Sequence, residues 1–161
     1  MRLWVVDASP LIFLAKLDRL DLLKKGADQI IAPPAVVREI GEYPDDASAK
    51  IDDARQSWLT VQAVEDRRIV EVLMADLDAG ESEVIALAMQ LKAERVVLDD
   101  LDARRFAHRV GVAPVGTLGL LLAAKLRGEL PSLGAEIDRL RQAGFRASPS
   151  LSQAVLREAG E

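Results

Sequence analysis

The sequence predicts an α/β fold, a three-layer αβα sandwich around a short, mainly parallel central sheet. Short apolar runs alternate along the chain with segments whose apolar residues recur at helical spacing. Strands joined by helices of about ten residues pair in parallel through right-handed crossovers. The length of 161 residues suits one domain with a substantial core.

The predicted strands are short and apolar. The first, at residues 3–6, reads LWVV and ends at an acid, as does the later run at 95–98. Residues 58–64 alternate between apolar and polar side chains, which is typical of a half-exposed strand. The complete set of predicted strands is 3–6, 30–32, 58–64, 95–98 and 112–115.

Helices are predicted where apolar residues recur every three or four positions, and several begin at capping signals. Ser9 can cap the first helix with Pro10 at its first position, where a missing N–H costs nothing. Thr117 can cap a later helix, and Asp102 can cap the one before it. The other predicted helices cover 35–40, 49–56, 67–77, 81–92, 102–110, 118–127, 133–142 and 151–158, with a loop at 41–48.

Composition limits the classes of function. Half of the residues are hydrophobic and 29% are charged, which is typical of a globular protein. The chain has no cysteine, which excludes disulfides and thiolate zinc sites and fits a cytoplasmic protein. We expect neither a signal peptide nor a membrane association, because the apolar runs are too short. The net charge of −5 means that any contact with nucleic acid needs a local basic patch.

Acidic residues gather where predicted strands end and predicted helices begin. The stretch VVLDDLDARR, residues 96–105, places three aspartates behind an apolar run, and Asp7 directly follows the first strand. Glu39 lies one turn into a short helix, and Glu81 opens another in the stretch GESEVIALA. Ligand sites of parallel sheets lie beyond the carboxyl ends of the strands. We therefore expect these acids to share one cleft.

A cleft with this many acids favours a hard divalent cation. Two like charges 4 Å apart repel by roughly 4 kcal/mol at an effective dielectric near 20. Several such pairs weigh heavily against a domain stability of about 5–15 kcal/mol. Carboxylate oxygens without histidine or cysteine suit Mg²⁺ or Mn²⁺ better than zinc. The acids are therefore interpreted first as a metal site, of the kind that binds phosphate and activates water.

The ordered set of motifs resembles that of PIN-domain proteins, the VapC-type toxins and related predicted nucleases. The motifs are VVDASPLIFLAKL at 5–17, PPAVVREI at 33–40, LDAGESEVIALA at 77–88, and VVLDDLDARRFA with VGVAPVGTLGLLLAAKLRG at 96–128. The resemblance implies a single PIN-like domain over 1–161, with a core at 1–128 and a C-terminal helical extension at 129–161.

The resemblance implies a ribonuclease that depends on Mg²⁺ or Mn²⁺ and uses four acids. The matching residues, which would be both catalytic and metal-binding, are Asp7, Glu39, Glu81 and Asp100. Secondary candidates for metal binding are Asp99, Asp102 and Glu83. Two departures bear on activity: Leu98 stands where the family often has threonine, and a glutamate at position 81 lengthens one ligand by a methylene.

Candidate substrate contacts and partners can also be named. Ser9 is placed to orient the carboxylate of Asp7 or a substrate oxygen, and Arg104, Arg105 and Arg109 could reach the phosphates that flank the cut. These arginines are the local basic patch that an acidic protein needs to bind RNA. The resemblance also implies a cognate antitoxin and a homodimer, with the apolar segments near 69–77 and 118–126 as candidate faces.

Two alternatives remain open from the sequence. A metal-dependent phosphatase or a receiver domain also gathers acids at strand ends. A DxD phosphatase needs an acid where this chain has Ser9, and a receiver needs a lysine where it has residues 114–117. A nucleic-acid-binding module that cleaves weakly is the second alternative, for which Leu98 and the long third acid leave room.

Overall fold

The computed structural model describes residues 1–161 and contains five strands in one parallel sheet. The strands are β1 (Leu3–Val6), β2 (Gln29–Ala32), β3 (Leu59–Val61), β4 (Arg95–Val97) and β5 (Ala113–Val115). Their order across the sheet is β3-β2-β1-β4-β5, which makes β1 the central strand. All five predicted strands are therefore present, with ends that differ by up to three residues.

Ten helices connect the strands and complete the chain. They are α1 (Ala8–Lys16), α2 (Asp21–Gly26), α3 (Pro34–Gly41), α4 (Asp46–Arg55), α5 (Arg67–Leu73), α6 (Ala79–Leu91), α7 (Leu101–Arg109), α8 (Thr117–Leu126), α9 (Leu133–Gln142) and α10 (Pro149–Glu158). The helices flank the sheet and bury a single cluster of 43 apolar residues against it, which confirms the predicted αβα sandwich. No helix combines the length and the apolar character that a membrane span requires.

The two strands at the centre of the molecule, β1 and β4, consist largely of buried apolar residues. Val5, Val6, Val96 and Val97 are fully enclosed, as expected for β-branched residues that pack on both faces of a parallel sheet. The backbone N–H of Asp7 donates to the carbonyl of Val97 at 3.0 Å, so β1 and β4 end at the same level. The two acid-bearing loops therefore begin side by side.

Three predicted helix caps are wrong. Asp7 is the N-cap of α1, and its carboxylate accepts from the N–H of Ala8. Asp100 caps α7 in place of Asp102, and Gly116 occupies the cap position of α8 in place of Thr117. The helices begin earlier than predicted, so the first acid after β1 and the second acid after β4 already stand at helix starts.

Helix α2 was not predicted. It has only six residues, too few for a clear apolar period. Its last residue, Gly26, lies under the ring of Trp4, where an added Cβ would overlap the indole. The glycine is therefore required by close packing between α2 and the central strand, a contact that no local pattern reports.

The last two helices pack onto the rest of the fold. Leu133, Ile137 and Leu140 of α9 are buried in the common core. The carboxylate of Glu161 accepts from the N–H groups of Leu133 at 2.7 Å and Gly134 at 3.1 Å, at the start of α9. The end of the chain is thereby fixed to the first turn of α9, because the acid satisfies N–H groups that the helix itself leaves free.

Candidate metal centre

Acids from different helices converge on Gly80, a buried glycine in the first turn of α6. A Cβ built on this residue would lie 3.2 Å from Oε2 of Glu39, 3.4 Å from Oδ1 of Asp7 and 3.6 Å from Oδ1 of Asp78. The side chains of Asp7 after β1, Glu39 on α3 and Asp78 at the start of α6 thus meet at one point. Glu39, Asp78 and Gly80 also line a cavity of about 300 Å³ between α3 and α6.

Burial and mutual repulsion hold Asp7 in an unusual protonation state. Burial raises the pKa of Asp7 to about 8, against the opposing effect of the hydrogen bond from Ala8. The neighbouring charges of Asp78, Glu39 and Glu81 contribute to this rise. Without a cation, this carboxyl group takes up a proton near neutral pH because burial penalises its charged form.

Glu81 and Glu39 respond in the same direction. Burial raises the pKa of Glu81 to about 7, although the hydrogen bond from the backbone of Asp78 lowers it, and the charges of Asp78 and Asp100 add to the rise. Burial also raises the pKa of Glu39, followed by the charges of Asp78 and Glu42. We call Asp7, Glu39, Asp78, Glu81 and Asp100 the acid cluster.

No basic side chain neutralises the acid cluster. The lysines and arginines of the chain form their ion pairs with other carboxylates, such as Glu83, Glu136 and Glu161, and with none of these five. An uncompensated cluster of this kind favours protonation or a bound cation. The ion pairs that would have explained the acids as structural are absent.

The donors of the cluster fit a hard divalent ion in kind. Asp7, Asp78, Glu81 and Asp100 each use one carboxylate oxygen in a backbone hydrogen bond at a helix start, and the second oxygen of each accepts none. The carboxylate of Glu39 accepts no hydrogen bond. As the side chains stand, no three of them already form a ligand set. Rotation of the free oxygens toward Gly80 would supply oxygen-only donors of the type that Mg²⁺ and Mn²⁺ prefer.

Sequence reasoning brought most of the cluster together but missed Asp78. Asp7 interacts with Glu39 and with Glu81 as expected, whereas Asp100 interacts with Glu81 alone among them. From the sequence, Asp78 is assigned no role at the site. The spacing of Asp78 and Glu81 is that of a capping box, and this signal could have placed Asp78 beside Glu81.

The secondary candidates have other partners. Asp99 accepts hydrogen bonds from Ser9 Oγ at 2.9 Å and from Thr117 Oγ1 and N, which ties α1 and α8 to the end of β4. Ser9 therefore does not orient Asp7, as one prediction had it. Asp102 is exposed and lies 4.0 Å from Arg105. Glu83 is buried but contacts α3 and α5 and not the acid cluster.

The predicted substrate arginines line one groove beside the cluster. A cavity of about 880 Å³ runs along α7 and contains Arg104, Arg105, His108 and Arg109. Arg104 is half-buried, forms no ion pair, and its Nε has no hydrogen-bond partner. Arg109 lies over the ring of Phe106 at 5.2 Å. The groove begins at Leu101, the residue after Asp100, and the three arginines share it with the acids Asp76 and Asp102.

Replacing Gly80 with alanine is expected to weaken Mn²⁺ binding by about tenfold without loss of fold stability. The new methyl group would crowd Glu39 and Asp7, and supporting groups at metal sites typically contribute 10–100-fold in affinity. Alanine is also favoured over glycine in helices by roughly 0.5–1 kcal/mol, which offsets the crowding. Calorimetric Mn²⁺ titration beside thermal melting measures both effects. Unchanged Mn²⁺ affinity in Gly80→Ala would place the metal elsewhere.

Comparison with known proteins identifies the family and the fold of the chain. Residues 3–161 match a family model, DUF3368, described as a PIN domain. A solved structure, a PilT N-terminus domain protein from the hyperthermophilic archaeon Sulfolobus solfataricus P2, has a similar fold, with a TM-score of 0.53 and 20% sequence identity over 81% of this chain and 95% of that one. No curated protein matches the sequence significantly. Because the family model spans nearly every residue, the chain belongs to the PIN-domain family DUF3368.

Proposed function

We propose that this protein is an endoribonuclease that depends on Mg²⁺ or Mn²⁺ and cuts RNA at the acid cluster. PIN domains are generally metal-dependent nucleases. The observation that carries the proposal is the convergence of Asp7, Glu39 and Asp78 on Gly80, with Glu81 and Asp100 alongside and no basic partner for any of the five. The family of the chain favours a nuclease over a phosphatase or a receiver domain.

The five residues of the acid cluster are the proposed metal ligands. Asp7, Glu39, Asp78, Glu81 and Asp100 would hold the cation through their free oxygens. A bound Mg²⁺ or Mn²⁺ supplies the Lewis acidity that activates water and neutralises the scissile phosphate. The helix-cap hydrogen bonds of Asp7, Asp78, Glu81 and Asp100 fix one oxygen of each carboxylate and leave the other free to turn toward the cation. Fixing one oxygen limits the reorganisation that metal binding requires.

The groove along α7 supports RNA as the polyanion. Arg104 is the arginine closest in sequence to Asp100, one turn further along the same helix, and no carboxylate pairs with it. Phosphates on either side of the cut would therefore meet Arg104, Arg105 and Arg109 once the cleavage site lies over the acids. Ser9 stays a candidate for substrate contact only if RNA displaces its hydrogen bond to Asp99.

The direct test is a cleavage screen over structured and single-stranded RNAs with Mg²⁺, Mn²⁺ or EDTA, using Asp7→Asn as the control. Cleavage with either metal, lost in EDTA and in the variant, is the expected result. Binding of Mn²⁺ and RNA without cleavage of any RNA would instead favour the weakly catalytic binding module. Phosphate release from small monoesters in place of RNA cleavage would contradict the proposal.

Replacing Arg104 with alanine is expected to weaken RNA binding several-fold and to lower the salt dependence of binding. Each lost phosphate contact reduces the slope of log K against log salt by about one. Fluorescence anisotropy between about 50 and 200 mM salt, in an Asp7→Asn background that does not cut, measures the slope. Arg157→Ala, an exposed arginine on α10, is the matched control. Equal slopes for the two variants would remove Arg104 from the RNA path.

The roles of toxin, cognate-antitoxin partner and homodimer stay predictions. Of the two candidate faces, α8 buries Leu118, Leu120 and Leu121 in the core. The segment near 69–77 keeps Val72 73% exposed, beside a groove that Met89 also lines. We therefore propose the α5 face for any homodimer. Sedimentation of the protein with Val72→Glu against the wild type tests this assignment.

A further inference from the structure

Glu83 lies on α6 two residues beyond Glu81 and has a different environment. Its side chain is only 3% exposed. Oε1 accepts a hydrogen bond from the N–H of Ala35 at 3.1 Å. Oε2 lies 3.1 Å from Arg67 and 3.8 Å from Arg38. Both oxygens therefore have partners, and Glu83 is not available as a metal ligand.

The hydrogen bond to Ala35 compensates for a missing cap. Helix α3 follows Pro33, which provides no side-chain acceptor for the first turn. A carboxylate from another helix meets this need, and its negative charge is also favourable at a helix N-terminus. Glu83 thus joins the start of α3 to the middle of the acid-bearing helix α6.

This contact bears on the acid cluster through Glu39. Ala35 precedes Glu39 by four residues, so the two lie one turn apart on the same face of α3. Glu39 is the only acid of the cluster whose carboxylate accepts no hydrogen bond. Its position therefore depends on where α3 lies, and Glu83 holds the first turn of that helix.

We propose that Glu83 is a positioning residue that places Glu39 at the metal centre by capping α3 from α6. The inference rests on the proposed function, because it gives Glu83 a purpose only if Glu39 binds a cation. Arg67 and Arg38 complete the arrangement by neutralising the buried carboxylate. Partners of metal ligands typically contribute 10–100-fold to metal affinity.

The test compares Mn²⁺ affinities by calorimetry in variants that circular dichroism shows to be folded. Glu83→Ala is expected to bind Mn²⁺ about tenfold more weakly. Glu83→Gln keeps an oxygen for the N–H of Ala35 and is expected to stay within about threefold of the wild type. Glu83→Asp keeps the charge but is too short by a methylene, so it should behave as Glu83→Ala does. Glu71→Ala, an exposed acid on α5, is the matched control.

A double-mutant cycle separates positioning from general support of the fold. If Glu83 acts through Glu39, Glu83→Ala has no further effect on Mn²⁺ affinity in a Glu39→Ala background. An added tenfold loss there, or an equal loss in Glu83→Gln and Glu83→Ala, would overturn the proposal. Amide exchange at Ala35 provides a readout without metal and is expected to quicken in Glu83→Ala. A wild type that binds no Mn²⁺ while this exchange still quickens would overturn the proposed function and leave the cap on α3 standing.

Discussion

Asp7→Asn is expected to lower metal-dependent RNA cleavage by at least about 100-fold while the protein stays folded. A metal ion contributes several kcal/mol of transition-state stabilisation, and each 1.36 kcal/mol corresponds to a factor of ten in rate. Asparagine removes the negative charge but has nearly the same shape. Its side-chain oxygen can still accept from the N–H of Ala8, so the start of α1 is retained. Single-turnover cleavage at saturating Mn²⁺ measures the loss.

Asp100→Asn should also lose cleavage while the protein stays folded, because asparagine can cap α7 through the N–H of Ala103. Asp102→Asn is the control from the same helix, since that side chain is 83% exposed and lies outside the cluster. Full cleavage by both Asp7→Asn and Asp100→Asn would rule out the acid cluster as the catalytic centre. Loss of cleavage in the control alone would point to a different set of acids.

Without metal, the wild type is expected to lose stability relative to Asp7→Asn as pH rises from about 4 to about 8. The pKa of Asp7 is about 8 in the folded state, against an ordinary value of 3.8. The stability that the proton contributes is fully present below the ordinary value and is lost as pH rises through the folded one. Glu81, raised to about 7, adds an effect of the same sign. Because one pKa unit corresponds to about 1.36 kcal/mol, the difference should reach a few kcal/mol.

Urea denaturation of both proteins in EDTA at several pH values measures this difference. Mn²⁺ should reverse it for the wild type at pH 8, since a ligand at about 100 times its Kd stabilises by about 2.7 kcal/mol. At low pH the same Mn²⁺ should stabilise much less, because protons compete for the oxygens. Identical pH profiles for the wild type and Asp7→Asn would mean that Asp7 is not buried beside other acids.

The fold was predictable because its signals are local. Runs of β-branched residues and helical periodicity can be recognised within a short segment of sequence. The structure contains strands and helices at the positions that these patterns predict. The helix starts were harder to place. Asp7 and Asp100 were recognised as strand-end acids, but their second role as caps depends on how few residues separate strand from helix.

The acid cluster could be predicted only in part, because the sequence of one helix does not determine which of its faces points toward the site. Glu81 and Glu83 are two residues apart and so point to different sides of α6. The choice between them depends on α3 and α5, which meet Glu83 from distant parts of the sequence. Asp78 was missed for a similar reason, since its effect on Asp7 and Glu39 appears only when the start of α6 lies against α1 and α3.

The capping of α1 and α7 by Asp7 and Asp100 has an evolutionary consequence. Asparagine starts a helix about as well as aspartate, whereas alanine weakens it by roughly 1 kcal/mol. A descendant of this protein that gave up its enzymatic role would therefore drift most easily to asparagine at these two positions and keep its architecture. Asparagine at both positions 7 and 100 would therefore identify an inactive relative from its sequence alone.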